Sequence, residues 1–145
     1  MDLETYTAIL DSIDSPIVFV DNDHIIRHLN KAAKIRYYEK RGYSDLIGKS
    51  LFDCHNPASK ESIKRIHDRL LAGKPAIFLK VNKDQESITV VGVRSATGQL
   101  LGYYERFEKG TEPTVGGDGK PAPLTVTLAQ KITKSRLNLI CPGRS

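Results

Sequence analysis

The sequence has no tryptophan, one methionine and two cysteines in 145 residues. Cys54 and Cys141 stand far apart, so no disulfide framework is expected, and the usage suits a reducing compartment. No run of about 18 apolar residues occurs, which excludes a helical membrane span. Met1-Asp2-Leu3-Glu4 is acidic and has neither the basic start nor the apolar core of a secretory signal. The expectation is a cytoplasmic location and no membrane partner. A phosphate-cradling loop is also missing, because Gly116-Gly117-Asp118-Gly119 follows no strand and opens no helix. Concentrated charge is lacking too. The net charge is +5, but residues 111–145 hold five Lys/Arg against two Asp/Glu, which leaves +2 on the rest. Nucleic-acid binding needs basic residues gathered on one face. Lys34, Arg36, Lys40 and Arg41 come nearest, and a solvated helix face accounts for them. No direct nucleic-acid binding is expected.

What is present is ordinary for a globular chain: 39% hydrophobic and 27% charged residues, at a length that fits one domain. Leu3, Tyr6, Ile9, Leu10 and Ile13 recur at helical spacing, capped by Asp2 and stopped at Asp14-Ser15-Pro16. Pro16 to Val20 and His24 to Leu29 read as strands joined by the turn Asp21-Asn22-Asp23. Asn30 caps a helix from Lys31 to about Lys40, with Tyr37 and Tyr38 on its apolar side, and Tyr43 to Gly48 reads as a short helical turn and a bend. Ala76–Val81, Ser87–Arg94 and Leu100–Phe107 form three strands, and their short turns predict an antiparallel meander. Residues 1–109 are expected to make one domain. From residue 110 to 145 the chain is linker-like, with a weak helical pattern over Leu124–Ile140. That tail is either a coupling segment or an extension.

Phe52-Asp53-Cys54-His55-Asn56-Pro57 and the helix it opens lie at the centre of this order. Asn56 is a good N-cap and Pro57 suits the first helical position. On a wheel of about 100° per residue, Ile63, Ile66, Leu70 and Leu71 form one arc, and His67 falls inside it. His67 therefore points inward, either as a core-edge histidine bonded to the protein or as a ligand to something held between helix and sheet. His55 stands beside a helix N-terminus, whose free amides favour anions; it either helps to hold a carboxylate or phosphate or bonds a loop carbonyl. Cys54 reads by default as a small buried hydrophobe. A zinc site needs paired ligands at both ends, and no second Cys or His stands near either Cys54 or His67. His24 and His28, four apart on a strand, share a face but have no further partner. Cys54 and His55 are sequence neighbours whose side chains diverge, which disfavours a nucleophilic dyad. No metal, no catalytic residue and no enzyme activity are expected.

The hairpin Ile17-Val18-Phe19-Val20-Asp21 running to Leu29-Asn30-Lys31-Ala32-Ala33, the step Ile47-Gly48-Lys49-Ser50-Leu51 and the final Leu101-Gly102-Tyr103-Tyr104 resemble a PAS sensor domain over roughly residues 5–108. Cys54-His55-Asn56-Pro57 before a long helix resembles more narrowly a bacterial and archaeal PAS subgroup with a Cys-His-x-Pro step. The resemblance implies an α+β fold, a five-stranded antiparallel sheet with helices on one face. It also implies a sensory or regulatory role in signal transduction and a pocket for haem, flavin or a small metabolite. His67, His55, Cys54, Asn30 and Tyr38 are the candidate ligand-binding residues. Photochemical flavin binding is disfavoured, since Leu51 stands where such sensors carry their reactive cysteine. Haem remains a candidate cofactor, although His67 comes a turn or more after the usual ligand position, near Ser62. The partners implied are a small-molecule ligand, a second copy bound through the N-terminal helix, and a signalling protein. A ligand-free dimerisation module is the alternative.

Overall fold

The computed structural model describes residues 1–109, with the side chain of Cys54 outside the described set. The expectations for residues 110–145 lie outside it as well.

Helix α1 spans Leu3–Asp11, and the Asp2 carboxylate accepts from the Thr5 amide at 2.9 Å to cap it. Strands β1 (Val18–Asp21) and β2 (Ile26–Leu29) make the first hairpin. Helix α2 (Lys31–Lys34) continues as a π-helical segment over Ile35–Lys40, so the predicted helix has the expected length but a wider second half. The Tyr43–Gly48 stretch is irregular rather than helical, with Asp45 and Gly48 both at positive φ. A 3₁₀ turn over Leu51–Cys54 leads into α3 (Pro57–Leu71), capped by Asn56, whose side chain accepts from the Ser59 amide at 2.8 Å. Strands β3 (Ala76–Val81), β4 (Glu86–Arg94) and β5 (Leu100–Lys109) form the meander.

All strand pairs are antiparallel and the sheet order is β2-β1-β5-β4-β3. Among the described residues, the first and last strands therefore meet at mid-sheet. Period-2 alternation sends Val18 and Val20 of β1, Ile88 and Val90 of β4, and Tyr103 and Phe107 of β5 into one core with Tyr37, Ile63, Ile66 and Leu70. Leu71, placed on the same arc from the sequence, is 54% exposed. One residue beyond Leu70 the helix has turned about 100°, which carries it out to solvent, and Ser59 takes a buried place instead.

Two departures from simple alternation shape the first hairpin. His24 sits ahead of β2 in the left-handed region at φ 63°, and a bulge shifts the register between Phe19 and Val20. Strand alternation therefore does not carry from His28 back to His24. His28 lies opposite Phe19, whereas His24 reaches across to Tyr103 of β5.

Helix α1 buries none of its residues; Leu3, Tyr6, Ile9 and Ile13 are all exposed. Its C-terminal end is held by Asn30, which is itself fully buried. The Asn30 Oδ1 accepts from the amides of Ile17 (2.9 Å) and Ala33 (3.0 Å). Its Nδ2 donates toward the carbonyls of Leu10 and Ser15 at 3.0 Å and Ile13 at 3.3 Å. One side chain thus caps α2 and pins both the end of α1 and the chain leading into β1.

Candidate functional site

The Asp21-Asn22-Asp23 turn predicted from composition is built by Asp21. Its Oδ1 accepts from the amides of Asp23 (2.9 Å) and Ile25 (3.0 Å), and its Oδ2 meets Arg27 Nε at 2.6 Å. Burial alone pushes this carboxyl up, but the Arg27 bond and the two amides outweigh it and hold it below its ordinary value. The fixed turn presents two polar side chains to α3 and β5, the buried His24 and the exposed Asn22.

Asn22 Nδ2 donates to the Leu100 carbonyl at 2.8 Å, which orients its Oδ1 toward His67 Nε2 at 3.0 Å. Since that oxygen can only accept, His67 carries its proton on Nε2. His24 Nδ1 lies 2.7 Å from the Tyr103 hydroxyl. The His24 ring meets His67 edge-on at a centroid distance of 4.8 Å and packs against Phe52 at 4.5 Å. Tyr103 stands 6.0 Å from His67 between ring centroids. Four polar side chains from the first hairpin, α3 and β5 therefore close on one another. His24 and His67 are each 9% exposed and Tyr103 2%.

Burial pushes the Tyr103 phenol well above its usual range. It lowers both imidazoles. For His24 the nearby His67 and then Lys64 lower it further while Asp21 and Asp23 pull it back; for His67, Asp68 pulls back. The unfolded chain thus takes up these protons at higher pH than the fold does. The stabilisation is complete above the unfolded value of about 6.5 and is lost as pH falls through the lower folded values. Thermal unfolding followed from about pH 7 to 5 should show this loss, and His67→Leu should make the decline shallower. An equally steep decline in the variant would assign it to other groups.

Of the residues singled out from the sequence, His67 joins this cluster. His55 is buried, and its Nδ1 stands 2.7 Å from the Leu51 carbonyl. The Tyr38 hydroxyl accepts from the Leu46 amide at 3.2 Å, and the Asn30 amide is engaged by the five backbone groups named above. Neither of these two is among the described contacts of His67. The side chain of Cys54 lies outside the described residues. Asn22, His24, Phe52 and Tyr103 were missed as site residues. The turn signal at 21–23 was legible, but the left-handed step that swings His24 inward has no signature in strand alternation. Lys80 and Glu105 were missed as well; both are buried, and burial lowers the Lys80 ammonium while Glu105 pulls it back up.

A family model described as PAS fold matches residues 10–114. The chain belongs to the PAS fold family. Among solved structures, this PAS chain is similar to the C-terminal domain of a Streptococcus mutans protein, at 19% identity and a TM-score of 0.61, covering 75% of this chain and 85% of that one. The PAS domain of Bordetella pertussis BvgS matches at 18% identity and a TM-score of 0.56, over 76% of this chain and 87% of that one. A PAS domain from Colwellia psychrerythraea matches at 19% identity and a TM-score of 0.52, over 74% and 97% respectively. No curated protein matches the chain. These likenesses show the fold. Among the described residues, no helix is long and apolar enough to cross a membrane, and no group of three or more His, Cys, Asp or Glu is placed to hold a metal ion.

Proposed function

We propose that this PAS domain is a sensory or regulatory module that binds a small ligand beside His67 and passes the change on to a signalling partner. One observation carries the reading: buried His24, His67 and Tyr103, with Asn22 bonded to His67 from the exposed side, link the first hairpin, α3 and β5 through polar groups. A ligand that replaced any one of these bonds would shift the hairpin turn, α3 and β5 relative to each other. The reading assigns no catalytic step to these residues and places the module in the cytoplasm. The reading extends secondarily to His55, in the Cys54-His55-Asn56-Pro57 step of the narrower subgroup that opens α3.

As arranged, His67 Nε2 is engaged by Asn22, and ligation of haem iron through that nitrogen would require this bond to break and the proton to leave. A colourless metabolite with hydrogen-bonding groups suits the cluster better. The test is to denature the purified full-length protein and identify released small molecules by mass spectrometry, alongside a visible absorption spectrum. A bound molecule that co-purifies with the wild type, and is lost from a folded His67→Leu variant, supports the reading. If neither protein carries a ligand and His67→Leu is as stable as the wild type, the histidine is structural and the ligand site is elsewhere.

The second reading, a ligand-free dimerisation module, is favoured by α1. Its Leu3, Tyr6 and Ile9 stripe, continued by Ile13 just past its end, is exposed on a helix that buries nothing, and covering it would remove apolar surface from water. Deleting residues 1–13 is expected to convert a dimer into a monomer in sedimentation. A full-length chain that stays monomeric at high concentration would remove this contact from the model of signalling.

A further inference from the structure

At the other end of β5 from Tyr103, about 20 Å away at the usual rise per strand residue, lies a groove of about 800 Å³. Pro16, Ala32 and Ile35 supply its apolar lining, and Lys83 and Asp84 of the β3–β4 turn line it together with Lys109. The remaining lining is charged and uneven. Arg36, Lys40, Arg41, Lys83 and Lys109 face three carboxylates, those of Asp14, Asp84 and Glu86. Glu86 is already committed, to Arg36 at 3.4 Å and to Asn82 Nδ2 at 2.9 Å. Among the described residues, Lys40, Arg41, Lys83 and Lys109 have no carboxylate within ion-pair distance.

Two of the cations are held in place before any ligand arrives. The Arg36 guanidinium lies 4.4 Å from the centre of the Phe107 ring while paired with Glu86, and Arg41 lies 5.1 Å over Tyr37. Guanidinium groups stacked on rings lose less freedom when they take a carboxylate than free ones do. Crowded like charges raise the energy of the empty groove, and an anion relieves that repulsion. An inorganic ion would leave the Pro16, Ala32 and Ile35 wall wet. A small organic anion can use both the few apolar side chains and the surrounding cations, which an inorganic ion cannot.

We propose that this groove is a second ligand site, taking a small organic carboxylate whose apolar body lies on the Pro16–Ile35 wall and whose charge meets Arg41 and Lys83. The site is independent of the His67 reading. It sits where the chain enters β1 and leaves β5, since Asp14 and Lys109 both line it. A bound anion therefore joins the two segments through which the domain communicates with whatever flanks it.

The test is amide chemical-shift titration of the full-length ¹⁵N-labelled protein with hexanoate, hexylamine and inorganic phosphate in separate arms. Hexanoate is expected to give saturable shifts centred on Ile35, Arg36, Arg41 and Lys83, with hexylamine giving none and phosphate binding more weakly. Lys83→Glu, a change on an exposed turn, should weaken hexanoate about tenfold, whereas His67→Leu should leave it unchanged. The proposal is overturned if hexanoate gives no saturable shift or hexylamine shifts the same amides. It is overturned equally if phosphate matches hexanoate, which would mean charge screening without a place for an apolar body.

Discussion

Asn30→Ala is expected to cost the fold about 4 kcal/mol, a large share of a small domain's stability. The cap of α2 accounts for about 1 kcal/mol of that. The rest follows from leaving the Ile17 amide and the Ile13 and Ser15 carbonyls without this partner beside a fully buried position, while the Leu10 carbonyl keeps the Ile13 amide at 3.2 Å. Asn30→Asp separates the two halves of the side chain. It keeps the oxygen that accepts from Ile17 and Ala33 but turns a carboxylate oxygen toward three carbonyls, so it should be nearly as damaging as alanine despite being an excellent cap. Urea unfolding measures both losses, and hydrogen exchange should show α1 opening before the sheet in either variant. An alanine variant within about 1 kcal/mol of wild type would mean that only the cap matters and that α1 is held by something else.

Gly102→Ala is the second large effect, about 3 kcal/mol or more. A Cβ at this position would stand 2.1 Å from the Val20 carbonyl oxygen and 2.7 Å from the Phe19 ring. The oxygen belongs to the strand that Gly102 pairs with, so relief requires β1 to move away from β5. The recorded register between those strands is Val20 with Tyr103 and Asp21 with Gly102, and the hairpin that aims His24 at Tyr103 would move with it. The midpoint of denaturant unfolding should fall, and the His67 and Tyr103 side-chain resonances should shift with it. Adding Phe19→Ala ought to recover only a small part. Full recovery would show that the ring, and not the backbone oxygen, sets the limit.

Most of the fold was legible because it rests on patterns with a fixed period or a local cause. The β3 bounds Ala76–Val81 agree with the sequence reading, and Asn56 and Pro57 start α3 through capping chemistry internal to a few residues. The site was less legible because it rests on exceptions. Helical spacing places His67 on the inward face, but its partner Asn22 lies 45 residues away. No period connects the two; they meet only once the fold brings α3 beside the first hairpin turn. His24 is further from reach, since both its left-handed backbone and the bulge at Phe19 and Val20 break the alternation that would have placed it. The π-helical Ile35–Lys40 follows the same rule: its apolar spacing reads as an ordinary helix, and the extra backbone width leaves no mark in side-chain type.

The adjacency of β1 and β5 also sets how the domain responds to mechanical load. The two strands run antiparallel, and the chain before β1 lies beside the chain leaving β5, with the Ser15 hydroxyl donating to the Phe107 carbonyl at 3.2 Å. Tension applied through the flanking segments therefore pulls at the same end of both strands. It opens the pair as a zipper, one bond after another, rather than shearing all of them at once. The Ser15 bond yields first and the close packing at Gly102 last, so a modest pull parts the sheet along the β1–β5 seam while each half keeps its own pairing.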